Sequence, residues 1–198
     1  RLVKYNKKTK TKNPDGALII PAKFFTILKN SINDKGEIEV SASKNHLEVQ
    51  NETTRFITRI IKETFPDFNS VIPQELGMQA EISKNQLLEA IKRVSIFSNK
   101  TTKQIILTFN NNEITITSED KETRASAKEH IVCEYNSEPL SVAYNAQYLK
   151  EVVQHTRGEK INIFLSGALT AAIFKPTKEE EGEETTTLLM PLRIQETP

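Results

Sequence analysis

The sequence is poor in the residues that most often announce chemistry. It holds a single cysteine, Cys133, which rules out an intramolecular disulfide framework and suits a reducing cytosol. Its 6 glycines form no phosphate-cradling loop, and there is no Cys-x-x-Cys pair. No stretch approaches the apolar length that spans a bilayer, and no signal-peptide pattern opens the chain. The expectation is a soluble, cytoplasmic protein with no membrane partner. An excess of one charge is missing too: 27 Lys and Arg stand against 26 Asp and Glu, a formal +1. Any contact with a polyanion must therefore come from where the charge sits. The start at Arg1-Leu2-Val3 carries no Met and reads as the middle of a strand, as a fragment would.

Candidate catalytic groups are equally thin. His46, His130 and His155 fall on different expected elements, with no acidic partner at metal or triad spacing, and surface or locally hydrogen-bonded roles are expected for them. Cys133 continues an alternating strand pattern with Ile131 and reads as a small buried apolar residue rather than a nucleophile. No carboxylate pairs with an evident apolar pocket that would raise its pKa. Nothing here argues for an enzyme, a metal or a cofactor.

What the sequence does have is a repeat. Three amphipathic segments of helical period are entered at Pro21, Ser83 and Asn145, 62 residues apart both times. Pro21 suits a first helical turn, and Phe24, Leu28 and Ile32 recur on one face. Ser83 and Gln86 have the spacing of a capping box ahead of Leu87, Leu88, Ile91 and Val94. Asn145 is a good N-cap, Tyr148, Leu149, Val152 and Val153 are expected to face inward, and Gly158 is a natural stop. After each helix come strand patterns at Ile38–Val40, Ile105–Phe109 and Ile161–Leu165, then turns at Ser43-Lys44-Asn45, Asn110-Asn111-Asn112 and Ser166-Gly167. Second strands carry Leu47 and Val49, Ile114 and Ile116, or Leu169 and Ala171; third strands lie around 55–61, 123–133 and 186–194. A strand also precedes each helix, at 17–20, 78–82 and 140–143.

The fold class is therefore α+β: repeated strand-helix-strand-strand-strand units, with helices on one face and antiparallel sheets outside. The expected domains are 1–74, half of one, and 75–198, a complete one, joined where Pro66 and Pro73 stiffen the chain. The helical segments hold seven basic residues, Lys23, Lys29, Lys84, Lys92, Arg93, Lys150 and Arg157, against Glu89 and Glu151, so the remainder is net negative. Two readings of this stay open on composition: a surface that tracks a phosphate backbone without reading sequence, or ordinary solvated helix faces. The lysines of 4–12 read as a strand end running into a mobile loop, and Glu179 to Glu184 as a disordered acidic loop.

Three short signatures give a resemblance: Arg1-Leu2, Phe65-Pro66-Asp67-Phe68 with Val71-Ile72-Pro73, and Leu189-Met190-Pro191-Leu192-Arg193-Ile194. With Ile96-Phe97-Ser98-Asn99 and Asn145-Ala146-Gln147-Tyr148, their order resembles the bacterial sliding clamp, the beta subunit of DNA polymerase III, over essentially the whole chain. The resemblance implies the DNA-clamp fold, in the latter part of a middle domain plus a C-terminal domain. It also implies a non-catalytic processivity factor, an accessory subunit of the DNA polymerase III holoenzyme. Such a factor encircles duplex DNA as a head-to-tail homodimer ring, is opened by a clamp loader, and tethers polymerase and repair proteins by short peptides.

Carried over by position, the peptide groove comprises Arg1, Leu2, Pro66, Val71, Asn145 and Tyr148, together with Leu169, Leu188, Met190, Pro191, Leu192 and Arg193. Ser70 stands where many members carry Arg, and Ala171 where they often carry Ser. Lys23, Lys29, Lys84, Lys92, Arg93 and Lys150 would face DNA; Ile96 and Phe97, with Glu119, Asp120 and Glu122, would meet the partner subunit. The alternative class is a protein-interaction scaffold with no DNA role.

Overall fold

A computed structural model describes residues 1–9, 16–32 and 36–194. The elements run β1 (Leu2–Lys7), α1 (Ala22–Ser31), β2 (Glu39–Ala42), β3 (His46–Gln50), β4 (Arg55–Arg59), a 3-10 turn (Asn69–Val71), β5 (Met78–Ser83), α2 (Lys84–Ser95), β6 (Gln104–Asn110), β7 (Glu113–Asp120) and β8 (Ala125–Val132). They end with β9 (Leu140–Asn145), α3 (Ala146–His155), β10 (Lys160–Leu165), β11 (Ala172–Pro176) and β12 (Glu183–Leu189). The helices begin at Ala22, Lys84 and Ala146, so the repeat of the sequence is the repeat of the fold.

The described residues of 1–10 and 68–198 form one compact unit, and those of 11–67 another. In the smaller unit, Phe24 of α1 packs on Leu47 and Val49 of the sheet β2-β3-β4, with Leu28, Ile32 and Phe56 around them. The strand expected at 17–20 is reduced to one bridge, Ile19 to Ile61. Pro21 follows directly, and without an N–H it cannot extend a ladder.

The larger unit contains two antiparallel sheets, β1-β12-β11-β10-β5 and β8-β7-β6-β9. Their composition reveals an exchange. β5 leads the first repeat yet pairs with β10 of the second, and β9 leads the second yet pairs with β6 of the first. The exchange is symmetric: Ser83 lies opposite Lys160, as Asn145 lies opposite Gln104. The Lys84 N–H donates to the Glu159 carbonyl at 2.9 Å, and the Ala146 N–H to that of Lys103 at 2.8 Å. Bridges from Glu81 to Glu134 and from Ala143 to Leu192 complete the correspondence. Neither repeat can bury its helix alone, because each sheet is finished by the other's strand.

α2 and α3 pack side by side over one core. Leu87, Ala90, Ile91 and Val94 of α2 and Ala146, Leu149, Val152 and Val153 of α3 are buried there. They meet alternate residues of the strands: Ile105, Leu107 and Phe109, Ile114 and Ile116, Ile161 and Ile163. The β6–β7 turn places Asn111 at φ 29 and Asn112 at φ 64, the paired left-handed geometry that asparagine tolerates in tight hairpins. Gly158, at φ 88, turns the chain out of α3.

Two local expectations differ. The Ser83/Gln86 capping box does not form; Ser83 ends β5, and its side chain makes no cap bond. Asn145 does cap α3, accepting the Gln147 and Tyr148 N–H groups. Glu183 and Glu184, expected in a disordered loop, open β12. Lys10 and Lys12 of the basic stretch lie outside the described residues.

Glu183 fastens the first strand. Its carboxylate sits 2.7 Å from Lys7 Nζ of β1 and 2.6 Å from Arg157 Nη1 after α3, with the side chain only 8% exposed. Hydrogen bonds from Lys7, then Tyr5 and Arg157, hold its pKa at about 2, against an ordinary value of 4.5. A depressed carboxylate stabilises the fold above its ordinary pKa, and that contribution is lost as pH falls through the folded value. Glu183→Gln is thus expected to lower the Tm at neutral pH, with the gap from the parent closing between pH 4.5 and about 2. Thermal melts across that window check it; a gap that persists unchanged to the acid end removes Glu183 from this role.

Candidate functional site

The five-stranded sheet is covered on both faces, and the second covering builds a surface. Opposite the main core, Ala171, Ile173 and Leu188 form a smaller buried cluster with Leu2, Ile72, Leu76 and Phe164 packed on it. The strands set these side chains in register: Leu2 of β1 faces Leu188 of β12, which in turn faces Ile173 of β11. Chain continuity then places exposed apolar residues around the cluster. Val71 precedes Ile72, Leu169 lies in the turn before Ala171, and Met190 follows β12; they are 50%, 64% and 52% exposed. Leu169 and Ala171 stand before β11 rather than in it.

Tyr148, expected to face inward, is instead 46% exposed. It lies in the first turn of α3, where the side chain of Asn145 fixes the backbone: its Oδ1 accepts the Tyr148 N–H at 3.2 Å and its Nδ2 donates to the Thr102 carbonyl at 3.1 Å. Both ends of the Asn145 amide therefore serve the local fold. The Arg1 guanidinium lies 4.7 Å from the centre of the Tyr148 ring and pairs with Glu151, one turn further along α3. Glu151 carries no site expectation from sequence; its i+3 spacing from Tyr148 is the signal that could have found it.

The end of the chain joins the two sheets of this unit. Past Met190 and Pro191, the Leu192 N–H donates to the Ala143 carbonyl at 2.7 Å, and Arg193 is exposed. The structure thus brings together Arg1 with Tyr148 and Leu2 with Leu188, and it places Val71, Leu169 and Met190 beside that cluster. Pro66 is exposed and belongs to the smaller unit.

The basic residues are more committed than their sequence positions suggest. Lys84 Nζ donates to the Thr156 carbonyl at 2.6 Å, tying the start of α2 to the end of α3. Lys92 pairs with Glu89 at 2.6 Å. Arg93 forks onto Glu129 of β8, with Nε 3.1 Å from Oε2. Lys23 and Lys29 lie exposed on α1. Lys150, half buried, lines a cleft of about 470 Å³ between the end of α2 and the start of α3. Sequence reasoning missed two other lysines of that cleft, Lys100 and Lys103; their closeness to Lys150 depends on the antiparallel packing of the helices.

Ile96 and Phe97 follow α2 and are 76% and 41% exposed. The β7–β8 turn is held beside them, because Ser118 Oγ donates to the Val94 carbonyl at 2.7 Å. Glu119 and Glu122 are exposed at this turn and line a second cleft, of about 680 Å³. Asp120 is not available there as an ionic partner. It is buried, accepting from Thr123 Oγ1 at 2.9 Å, the Glu122 N–H at 3.2 Å and Asn99 Nδ2 at 3.3 Å.

Two titratable groups elsewhere have local surroundings that differ. His130 does find an acidic neighbour, Glu113 at 2.8 Å across the β7–β8 pair, on an exposed sheet face. The Cys133 thiol is pushed up to about 11 by burial, with the Glu113 charge adding; at neutral pH it is protonated and a poor nucleophile.

Comparison with known proteins adds identity to this geometry. Residues 69–193 match the family model described as DNA polymerase III beta subunit, C-terminal domain. The beta sliding clamp of Chlamydia pneumoniae is 24% identical over 186 residues, covering 94% of this chain and 49% of the relative. That of Haemophilus influenzae is 27% identical over 150 residues, covering 76% and 40%. The crystal structure of the DNA polymerase sliding clamp of Pseudomonas aeruginosa superposes with a TM-score of 0.83 at 24% identity, over 89% of this chain and 48% of that one. A sliding clamp of Bartonella birtlesii, bound to griselimycin, gives 0.81 at 24% identity. The chain spans about half the length of these relatives. With the matched domain covering more than half of its residues and the DNA-clamp fold shared, the chain belongs to the family of the DNA polymerase III beta subunit.

Proposed function

We propose that this chain is part of a DNA replication processivity factor, a clamp that encircles duplex DNA without reading its sequence and tethers a polymerase to it. The observation that carries the proposal is the match of residues 69–193 to the C-terminal domain of the polymerase III beta subunit. In this reading residues 1–74 are the latter part of a middle domain and 75–198 the C-terminal domain. In that reading β1 belongs by sequence to the first of these ranges, while its hydrogen bonds are to β12 of the second. The protein acts by topology in the cytoplasm rather than by chemistry, with no cofactor of its own.

Three surfaces divide the work. The cluster around Leu2, Leu188 and Ile173, rimmed by Val71, Leu169, Met190 and Tyr148, takes a short, largely apolar peptide of polymerase III and of other clamp-binding proteins. An apolar floor with a flexible Met and an amphipathic Tyr at its rim suits such a ligand. The helical face meets DNA through phosphates alone; a ring that cannot fall off needs only weak, salt-sensitive contacts. Lys23, Lys29, Lys92, Arg93 and Lys150 serve that contact, whereas Lys84 is first a tie between helices. The exposed Ile96 and Phe97, with Glu119 and Glu122, close a head-to-tail homodimer that a clamp loader opens.

Tyr148→Ala or Met190→Ala is expected to weaken binding of a polymerase-derived peptide by about 1–3 kcal/mol, the usual cost of truncating an interface anchor. Calorimetric titration reads this, and unchanged affinity in both variants removes those residues from the groove. For the whole subunit the test is primer extension with its loader. Longer products per binding event, at an unchanged rate per nucleotide, are expected; products of unchanged length overturn the proposal.

A further inference from the structure

We infer that the smaller unit carries a self-association surface: two copies of this chain pair through α1, β2 and the segment 17–20, trading leading strands about a twofold axis. The inference stands on the internal repeat and is independent of the proposed function.

The larger unit shows what such a repeat needs. Each of its leading strands is tied to its own repeat by a single bridge, Glu81 to Glu134 and Ala143 to Leu192. Each gives its other edge to the first strand after the opposite helix, β5 to β10 and β9 to β6. Ile19 stands 62 residues before Glu81 and makes the same bridge, to Ile61. Among the described residues its segment has no second strand partner, and β2 pairs with β3 alone. One copy therefore holds both halves of the exchange, and neither is used.

Burial follows the same pattern. Leu18 is 48% exposed, whereas Ala80 and Val142, one and two repeats further on, are fully buried. Phe25 is 53% exposed where Leu87 and Leu149 are fully buried. Val40 lies opposite Val49 of β3, on the face that Phe24 of α1 covers, yet it is 57% exposed. The alternate residues of β6 and β10 on the corresponding face are core. Single exposed apolar side chains are ordinary. Three of them, at places that form core in the other repeats, outline a contact surface.

A second copy is the occupant that fits. Each copy offers a leading strand and an edge to receive one, so a twofold axis satisfies both at once in an isologous contact. The larger unit already has that geometry, with two unlike repeats in place of two like ones. A short strand and a helix of 10 residues from each copy bury on the order of 800 Å² per side, the size of a standard stable interface. Lys29 departs from the pattern, standing where Ile91 and Val153 are buried. Its stem can cover apolar surface while the ammonium reaches water, at a cost that makes the pair reversible rather than obligate.

Sedimentation equilibrium of this chain, from micromolar to near-millimolar concentration, is expected to show a reversible species of twice 22.5 kDa. Phe25→Glu and Val40→Lys are each expected to weaken it about tenfold. Both residues are exposed in the single copy, and thermal melts confirm that the variants are folded. Ile96→Glu is expected to leave the species unchanged, which separates this contact from the head-to-tail one. Register gives a second readout. Val142 lies opposite Leu107, and Ala80 opposite Ile163, so Leu18 of one copy comes opposite Val40 of the other. Under oxidation a mixture of Leu18→Cys and Val40→Cys chains is expected to cross-link, and neither variant alone. A parent that stays monomeric over the whole range overturns the inference and leaves the surface to another occupant. So does a dimer dissolved by Ile96→Glu and untouched by Phe25→Glu, or cross-linking of either variant alone as readily as the mixture. None of these outcomes bears on the proposal for the whole subunit, which is tested on DNA.

Discussion

The larger unit depends on the exchange of leading strands between two repeats. β5 completes the sheet of the second repeat and β9 that of the first, so the backbone hydrogen bonds of each sheet are satisfied only when both are present. That single constraint puts α2 and α3 side by side over a shared core. It also fixes which helix ends meet: the start of α2 is tied to the end of α3 by Lys84, and the end of α2 lies beside the start of α3 across the lysine-lined cleft.

The same arrangement separates the working surfaces. Helices cover one side of the sheets, and the opposite face of the five-stranded sheet is free to build the cluster of Leu2, Ile173 and Leu188. β1 must be seated for that cluster to exist, because Leu2 is one of its members. The Glu183 carboxylate between Lys7 and Arg157 therefore supports the candidate groove from a distance. An ion pair at a surface contributes little by itself, but here the carboxylate is shielded, shared by two cations and placed opposite the last residue of the edge strand β1.

Much of this is legible in the sequence where the cause is local. Helix starts at fixed spacing reveal the repeat, the Asn111-Asn112 pair marks a hairpin, and alternation locates most strands. Partners are not legible, because a period of two says that a segment is a strand and is silent about its neighbour. Hence position along the chain groups β1 with the first domain, although its ladder lies with β12. The charges escape for a similar reason: Arg93 and Glu129 are far apart in sequence and adjacent across α2 and β8. Apolar spacing on α3 turns Tyr148 inward, whereas its exposed ring under Arg1 is what makes it a candidate for recognition. Asp120 looks like a surface acid and is buried by its own turn.

A clamp differs from any ordinary DNA-binding or scaffold protein in how it is held: by linkage, with contacts too weak to retain it otherwise. The most direct measurement loads the full-length subunit onto a nicked circular plasmid, washes at a salt concentration that abolishes charge contacts, and then linearises the DNA. The account predicts that the subunit stays on the circle and leaves within the time needed to slide off the ends. Loss from the intact circle during the wash, or persistence on the linear molecule, would contradict it.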